Sequence, residues 1–402
     1  MKIAKLYIDS FRGLSSESWM LAIVMLINRT GSMVLPFLGV YMTSQLGFSL
    51  KEAGIVLSFF GIGSVVGSWF GGMITDRIGE FKVQTFSLLF SVPLFLIIPL
   101  FHSQVGMAFI MFILSCISEA FRPANSVAVT KYAKSQNITR AFSLNRMAVN
   151  LGFSIGPALG GILSSISYDF LFYTNAAGAL LAAITYVAFF RKRNYRNEAQ
   201  PKNILELKPT SPYKDYKFVL FCILCLSFSV CFFQLFNTLT IFYKEEAQLS
   251  QEYIGYLLGF SGFIIVLLEM LLVQVAEKKF SLSFTLGFGT LLCGISYAML
   301  GFGTHITYLL FSMTILCIGE IWTLPFMATV TAMRSGKDNK GAYMGLLGMA
   351  FSISFIITPS LGTFIAEQLG FKTLWIGTGI LMAITALGFH LLIPKMLNKK
   401  IS

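Results

Sequence analysis

Apolar residues run in blocks along almost the whole chain, and the blocks are long enough to cross a hydrocarbon core of about 30 Å as helices of roughly 20 residues. Twelve stand out: 18–44, 51–74, 83–102, 106–131, 141–165, 170–190, 218–243, 252–275, 281–302, 307–333, 342–366 and 372–394. Short polar turns separate most of them. The exception is RKRNYRNEAQPKNILELKPTSPYKDYK, residues 191–217, which splits the blocks into six and six. Only helices and closed barrels satisfy their backbone polar groups in lipid, and blocks of this length are helical. The pattern predicts an all-α membrane protein with a first bundle over 1–190, a cytoplasmic linker over 191–217 and a second bundle over 218–402.

The placement of charge orients the blocks. With both termini in the cytoplasm, cytoplasmic segments hold 24 of the 30 Lys and Arg. Arg29, Arg122 and Arg146 fall inside spans, and Lys51, Lys244 and Lys372 fall outside. Basic residues collect on the cytoplasmic side of membrane proteins. The net charge of +12 is therefore a consequence of topology, and no nucleic-acid partner is expected. Charged residues make up 12% of the chain, half the roughly 25% of a soluble domain. The stretch MKIAKLYIDSFRGLSSESW carries Asp9, Arg12 and Glu17 and no small-residue cleavage site, so it reads as a cytoplasmic leader. The six cysteines lie in apolar runs, and the three histidines form no metal-ligating constellation. No metal or organic cofactor is expected. No nucleophile–base set suggests an enzyme.

The two halves repeat. Asp76-Arg77 and Glu277-Lys278 are 201 residues apart, as are Gly54 and Gly255, Glu119 and Glu320, and Ala141-Phe142 and Ala342-Tyr343. Pro157 and Pro359, with Gly160 and Gly362, are 202 apart. Like-oriented repeats of six helices are a transporter architecture, with substrate bound near the midplane between the halves.

Charge inside a span is costly and survives mainly where it faces a cavity or a partner. Six such residues occur: Arg29, Glu119, Arg122, Arg146, Glu269 and Glu320. Glu119 and Arg122 are three apart and share a helix face. They form either a structural ion pair or a proton site that releases Arg122 when Glu119 is protonated. Pro123 frees a carbonyl one turn back. Glu320, the repeat partner of Glu119, has the uncharged Thr323 where Arg122 would be, so no close base is expected and Glu320 is the better proton carrier. Glu269, near the end of its span, reads as structural. Arg29 sits in INRTGSM beside Asn28, and Arg146 in LNRMAVN near Asn150. Asn125 follows Arg122, and Trp322 follows Glu320. With three bases against Glu119 and Glu320, the cavity favours a substrate with an anionic or zwitterionic part. Candidate substrate ligands are Arg29, Arg122, Arg146, Asn28, Asn125, Asn150 and Trp322.

Several stretches carry a family resemblance: GGMITDRIGEFK after the second block, LGFSIGPALGG in the fifth, CIGEIWTLPFMA in the tenth and GAYMGLLGMA after it, with FRPANS and NRMAVNLG. Together they resemble the major facilitator superfamily over essentially the whole chain, and within it the bacterial drug:proton antiporter branch. The Gly-Glu of the tenth block is also similar to proton-coupled peptide transporters. Gly72, Asp76, Arg77 and Gly79 match the family's loop pattern, while Glu80 and Phe81 stand where its basic pair belongs. Gly156, Pro157 and Gly160 resemble part of the antiporter motif, with Ser143 in place of an upstream glycine. The resemblance implies that these residues form a gate latch and a pivot. It also implies a monomeric, proton-coupled secondary transporter in the cytoplasmic (inner) membrane, driven by the proton gradient. Its partners would be a small-molecule substrate, protons and the lipid bilayer. Export of drug-like or small organic compounds is the expected direction; the alternative is proton-coupled uptake of small peptides or organic anions.

Overall fold

A computed structural model describes residues 2–31, 34–198, 211–336 and 338–397. The apolar blocks are helical, and the helices in chain order are Lys2–Phe11 (α1), Ser16–Thr30 (α2), Val34–Ser44 (α3), Leu50–Ile78 (α4), Glu80–Ile97 (α5), Gln104–Glu119 (α6), Phe121–Tyr132 (α7), Ile138–Ile166 (α8), Asp169–Glu198 (α9), Tyr216–Phe232 (α10), Thr238–Glu245 (α11), Gln251–Lys279 (α12), Leu282–Met299 (α13), Ile306–Arg334 (α14), Lys340–Leu369 (α15) and Phe371–Leu397 (α16). The repeat is visible in these bounds. Helix α12 begins and ends 201 residues after α4, and α13 begins and ends 202 after α5. Ser49 and Ser250 cap α4 and α12 in the same way, each accepting from a backbone N–H three residues on.

Three of the twelve expected spans are interrupted, and each break has a local cause. The first span divides after Thr30. Gly31 closes α2 with its N–H on Ile27 O at 3.1 Å and lies against Gly178 of α9, where a methyl would sit 3.2 Å from the Gly178 Cα. The fourth span breaks at Ala120, because Pro123 offers no N–H to the carbonyl of Glu119. The seventh breaks in a short turn over Phe233–Phe236, the repeat position of the first break, where Gln234 and Thr238 press on Gly362 of α15. Among the described residues eleven helices are long and apolar enough to cross a membrane; the first expected span, whose residues 32–33 lie outside the described residues, is not among them. The stretch 191–198, expected as linker, continues α9; residues 199–210 lie outside the described residues.

Each half has a core of its own, and one first-half cluster extends onto Met270, Ala332 and Met344 of the second half. In the second half Phe221, Phe228, Tyr297, Trp375 and Phe389 pack in one fully buried cluster. In the first half Leu21, Tyr186 and Phe190 centre one cluster, and Met42, Met111 and Phe172 centre another. Large apolar side chains such as Phe70, Phe109, Ile162 and Phe364 face outward, as a lipid-exposed surface requires.

Both termini lie at one end of the bundle. Arg140 at the start of α8 reaches Ser10 O and Arg12 O at 3.3 and 3.2 Å and Glu277 at the end of α12 at 3.2 Å. Arg334 at the end of α14 reaches Met396 O and Asp215, both at 2.7 Å. This end carries the basic loops and is the cytoplasmic one.

Asp215 joins three helices there. It caps α10 through the Phe218 N–H at 3.2 Å and accepts from Arg334 and, at 3.0 Å, from the Tyr343 hydroxyl. Burial alone would raise the Asp215 carboxyl; the Arg334 guanidinium, with the Tyr343 and backbone donors, outweighs it and holds the carboxyl below its usual range. A depressed carboxyl contributes stability above its unfolded pKa of about 4 and loses that contribution as pH falls through its folded value. Asp215→Asn should therefore cost about 1–3 kcal/mol at pH 7 and lessen the loss of stability on acidification. Thermal unfolding of both proteins between pH 3 and 7 checks this; equal acid sensitivity would rule it out.

Candidate functional site

Smaller contacts aside (α7 on α15, α8 on α14), two helix pairs carry most of the contact between the halves: α4 on α15, and α8 on α12. They are repeat equivalents and use opposite chemistry. Along α4 the contact is made of small residues. Gly72 packs backbone to backbone on Gly341 and Gly345, and a methyl there would run into Gly341 O and lie 2.9 Å from the Gly345 Cα. Ser64 and Ser352 share a hydrogen bond at 2.9 Å. At the cytoplasmic end Asp76 accepts the Gly341 and Ala342 N–H groups at 2.6 and 2.7 Å. A carboxylate is thus placed on the N-terminus of α15, where free donors and the helix dipole favour it. Gly79 adopts φ +88 in the turn to α5, a conformation suited to glycine. Arg77 is exposed. Glu80, standing where the family pattern has a base, is buried and pairs with Lys131 of α7 at 2.5 Å.

Along α8 the contact is ionic. Arg146 Nε lies 3.0 Å from Glu269 Oε1 on α12, and its Nη2 lies 2.9 Å from Glu320 Oε1 on α14. One guanidinium from the first half thus holds two carboxylates of the second. Glu269 is fully buried and Glu320 is 3% exposed. Glu269 Oε2 is buried with no hydrogen-bond partner among the described residues. Glu320 was expected to lack a close base; the base comes from the other half of the chain. Glu269, read from sequence as structural, is the second carboxylate on Arg146. Its repeat position is Ser68, which packs on Gly345 in the α4–α15 contact, so the two positions are equivalent inter-half sites.

Glu119 and Arg122 stand as their spacing predicts, with Arg122 Nε 2.7 Å from Glu119 Oε2. Glu119 lines a recess of about 70 Å³ together with Asn28, Arg29, Ser87, Ser91, Ser118 and Asn175, walled by Val34, Phe60, Leu88, Phe95, Met111, Leu114, Phe121 and Ala179. Every one of these residues belongs to the first half. Glu119 and Glu320, expected on opposite walls of one cavity, are separated: Glu119 lines this recess inside the first bundle, and Glu320 is packed into the inter-half contact.

Arg29 occupies the last turn of α2, just before the break. Its guanidinium lies 5.6 Å from the centre of the Phe153 ring, and its Nε is buried without a hydrogen-bond partner among the described residues. The glycines of α8 put it there. A methyl on Gly152 would lie 2.6 Å from Arg29 Cβ, and one on Gly156 would lie 3.2 Å from Thr30 O. Gly160 is buried farther along α8; the side chain of Pro157 lies outside the described residues. The other sequence candidates are dispersed. Asn125 is buried on α7, and Asn150 is half-buried on α8. Trp322 turns away from the recess: its Nε1 donates to Leu272 O at 3.2 Å, and its ring packs on Phe280 and Phe288. Among the described residues no cluster of His, Cys, Asp and Glu is arranged to hold a metal ion.

Comparison with known proteins gives a consistent picture. The family model described as Major Facilitator Superfamily matches residues 20–286 and 275–400. An uncharacterized MFS-type transporter of Bacillus subtilis (strain 168), YttB, is 27% identical over 91% of this chain and 92% of its own. Multidrug resistance protein 2 of the same organism is 25% identical over 77% of this chain and 78% of its own. Among solved structures, a bacterial homologue of the iron transporter ferroportin in its outward-facing state superposes with a TM-score of 0.76, at 15% identity, over 94% of this chain and 99% of that one.

Proposed function

The chain belongs to the major facilitator superfamily, and on that premise we propose a proton-coupled secondary transporter of the cytoplasmic (inner) membrane that exports drug-like or small organic compounds by alternating access. The observation that carries the proposal is the Arg146–Glu269–Glu320 cluster. One base faces two buried acids, so charge balances when one carboxyl holds a proton, and the cluster titrates as a unit. A second proton removes the remaining attraction to Arg146 and frees the cytoplasmic contact between the halves. A cluster that is closed when proton-poor and released when proton-loaded returns the carrier inward with protons. That is the inward leg of an exchange in which cargo leaves. Glu119, paired with Arg122 and lining the recess, is the proposed second proton site and ties protonation to cargo. The likeness to a multidrug resistance protein supports export.

The test is proton flux in inside-out vesicles made acid inside. An exported compound should dissipate the gradient only in vesicles that contain the protein. Glu320→Gln should abolish this driven flux while substrate exchange at equal pH continues. Undiminished driven flux in that variant would remove Glu320 from the mechanism. Arg29 in the recess favours a second reading, proton-coupled uptake of small peptides or organic anions; their accumulation with protons in right-side-out vesicles would establish it.

A further inference from the structure

We propose that the first-half recess is a carboxylate-binding site, so that the cargo is an amphipathic monoanion or a zwitterion whose carboxylate pairs with Arg29; this rests on the transporter reading above. Three observations lead to it. Arg29 is a buried cation at the recess, and its Nε has no hydrogen-bond partner among the described residues. The charged groups that face it are Glu119 and Arg122, and these two are already matched to each other at 2.7 Å. Among the described residues Arg29, Arg122 and Glu119 together leave one positive charge over at the recess, which one anionic group completes.

Arg29 is also held in place. The close approach at Gly152 fixes its backbone against α8, and Phe153 lies beside its guanidinium. A side chain that was merely reaching toward water would be free to move; this one is pinned by packing on the recess wall. The break between α2 and α3 falls directly after it and recurs between α10 and α11 at the repeat position. Interrupted helices at corresponding places in two halves mark binding sites in repeat transporters. The remaining walls set the rest of the cargo. Phe60, Phe95 and Met111 are apolar, and Ser118 and Asn175 offer hydrogen bonds, so the walls suit a carboxylate borne on a small apolar body.

The test measures binding, not transport. The full chain in lipid nanodiscs at pH 7 is titrated with 1-naphthylacetate, its neutral amide 1-naphthylacetamide, and 1-naphthylmethylammonium. The carboxylate should bind at least about tenfold more tightly than the amide, and the ammonium more weakly still. Arg29→Gln should remove that preference. Asn175→Asp, which sets a fixed carboxylate in the recess, should weaken the carboxylate ligand by about tenfold while sparing the amide. Equal binding of carboxylate and amide by the unmodified protein would overturn the proposal, as would a preference that survives Arg29→Gln. If Arg29→Gln does not fold, the matched ligands on the unmodified protein and on Asn175→Asp still decide. The two readings fail separately. Proton exchange with lipophilic compounds but no carboxylate preference removes this site alone; carboxylate binding without proton-driven flux upholds the site and removes the coupling.

Discussion

Arg146→Ala is expected to be the most damaging single substitution in the membrane domain. It leaves Glu269 and Glu320, both buried, without the cation they share at 3.0 and 2.9 Å. Removing one member of a buried ion pair costs about 3–5 kcal/mol, because the remaining charge has no partner. Here two charges lose theirs at once. The protein escapes by protonating both acids or by opening the α8–α12 contact to water, and either route ends pH-driven transport. Thermal unfolding in nanodiscs and a distance measurement across the cytoplasmic ends of α8 and α12 would record the loss. Adding Glu269→Gln and Glu320→Gln to Arg146→Ala removes the stranded charge, so the triple variant should regain most of the stability and none of the proton coupling. A triple variant no more stable than Arg146→Ala alone would mean that the cost lies in packing rather than charge.

The reason this cluster escaped sequence reasoning is physical. Apolar blocks show their period locally, and an acid and a base three apart share a helix face whatever the rest of the chain does. The twelve blocks, the doubling and the Glu119–Arg122 pair were legible for that reason. Arg146 is separated from Glu269 and Glu320 by 123 and 174 residues. Nothing local joins them. The repeat even pointed the wrong way, by seeking a partner for Glu320 at Thr323 on its own helix while the base came across the interface. The break in the first span was partly legible in INRTGSM, where polar residues and a glycine interrupt an apolar run. The recess was not, because it arises only when the walls from α2, α5, α6 and α9 converge on Glu119 and Arg29.

Gly72→Ala should trap the carrier with its cytoplasmic side open. The α4–α15 contact is backbone on backbone at Gly72, Gly341 and Gly345, so an added methyl meets a carbonyl oxygen and a Cα rather than a side chain that can turn aside. Relief requires α4 and α15 to separate. Separation also withdraws Asp76 from the Gly341 and Ala342 N–H groups, bonds to a charged acceptor worth about 1.5–3 kcal/mol each. A penalty of that order lands on the closed state alone, and 1.4 kcal/mol already shifts a two-state population about tenfold. Each half keeps its own core, so the fold should survive while transport falls at least about tenfold. Cysteines placed at the ends of α4 and α15 should cross-link readily in the parent protein and poorly in the variant. Gly259→Ala, where a methyl meets nothing within 4 Å, is the matched control and should behave as the parent does. If Gly72→Ala cross-links and transports like the control, the α4–α15 contact does not gate the cytoplasmic side, and closure must rest on Arg146 and its two acids.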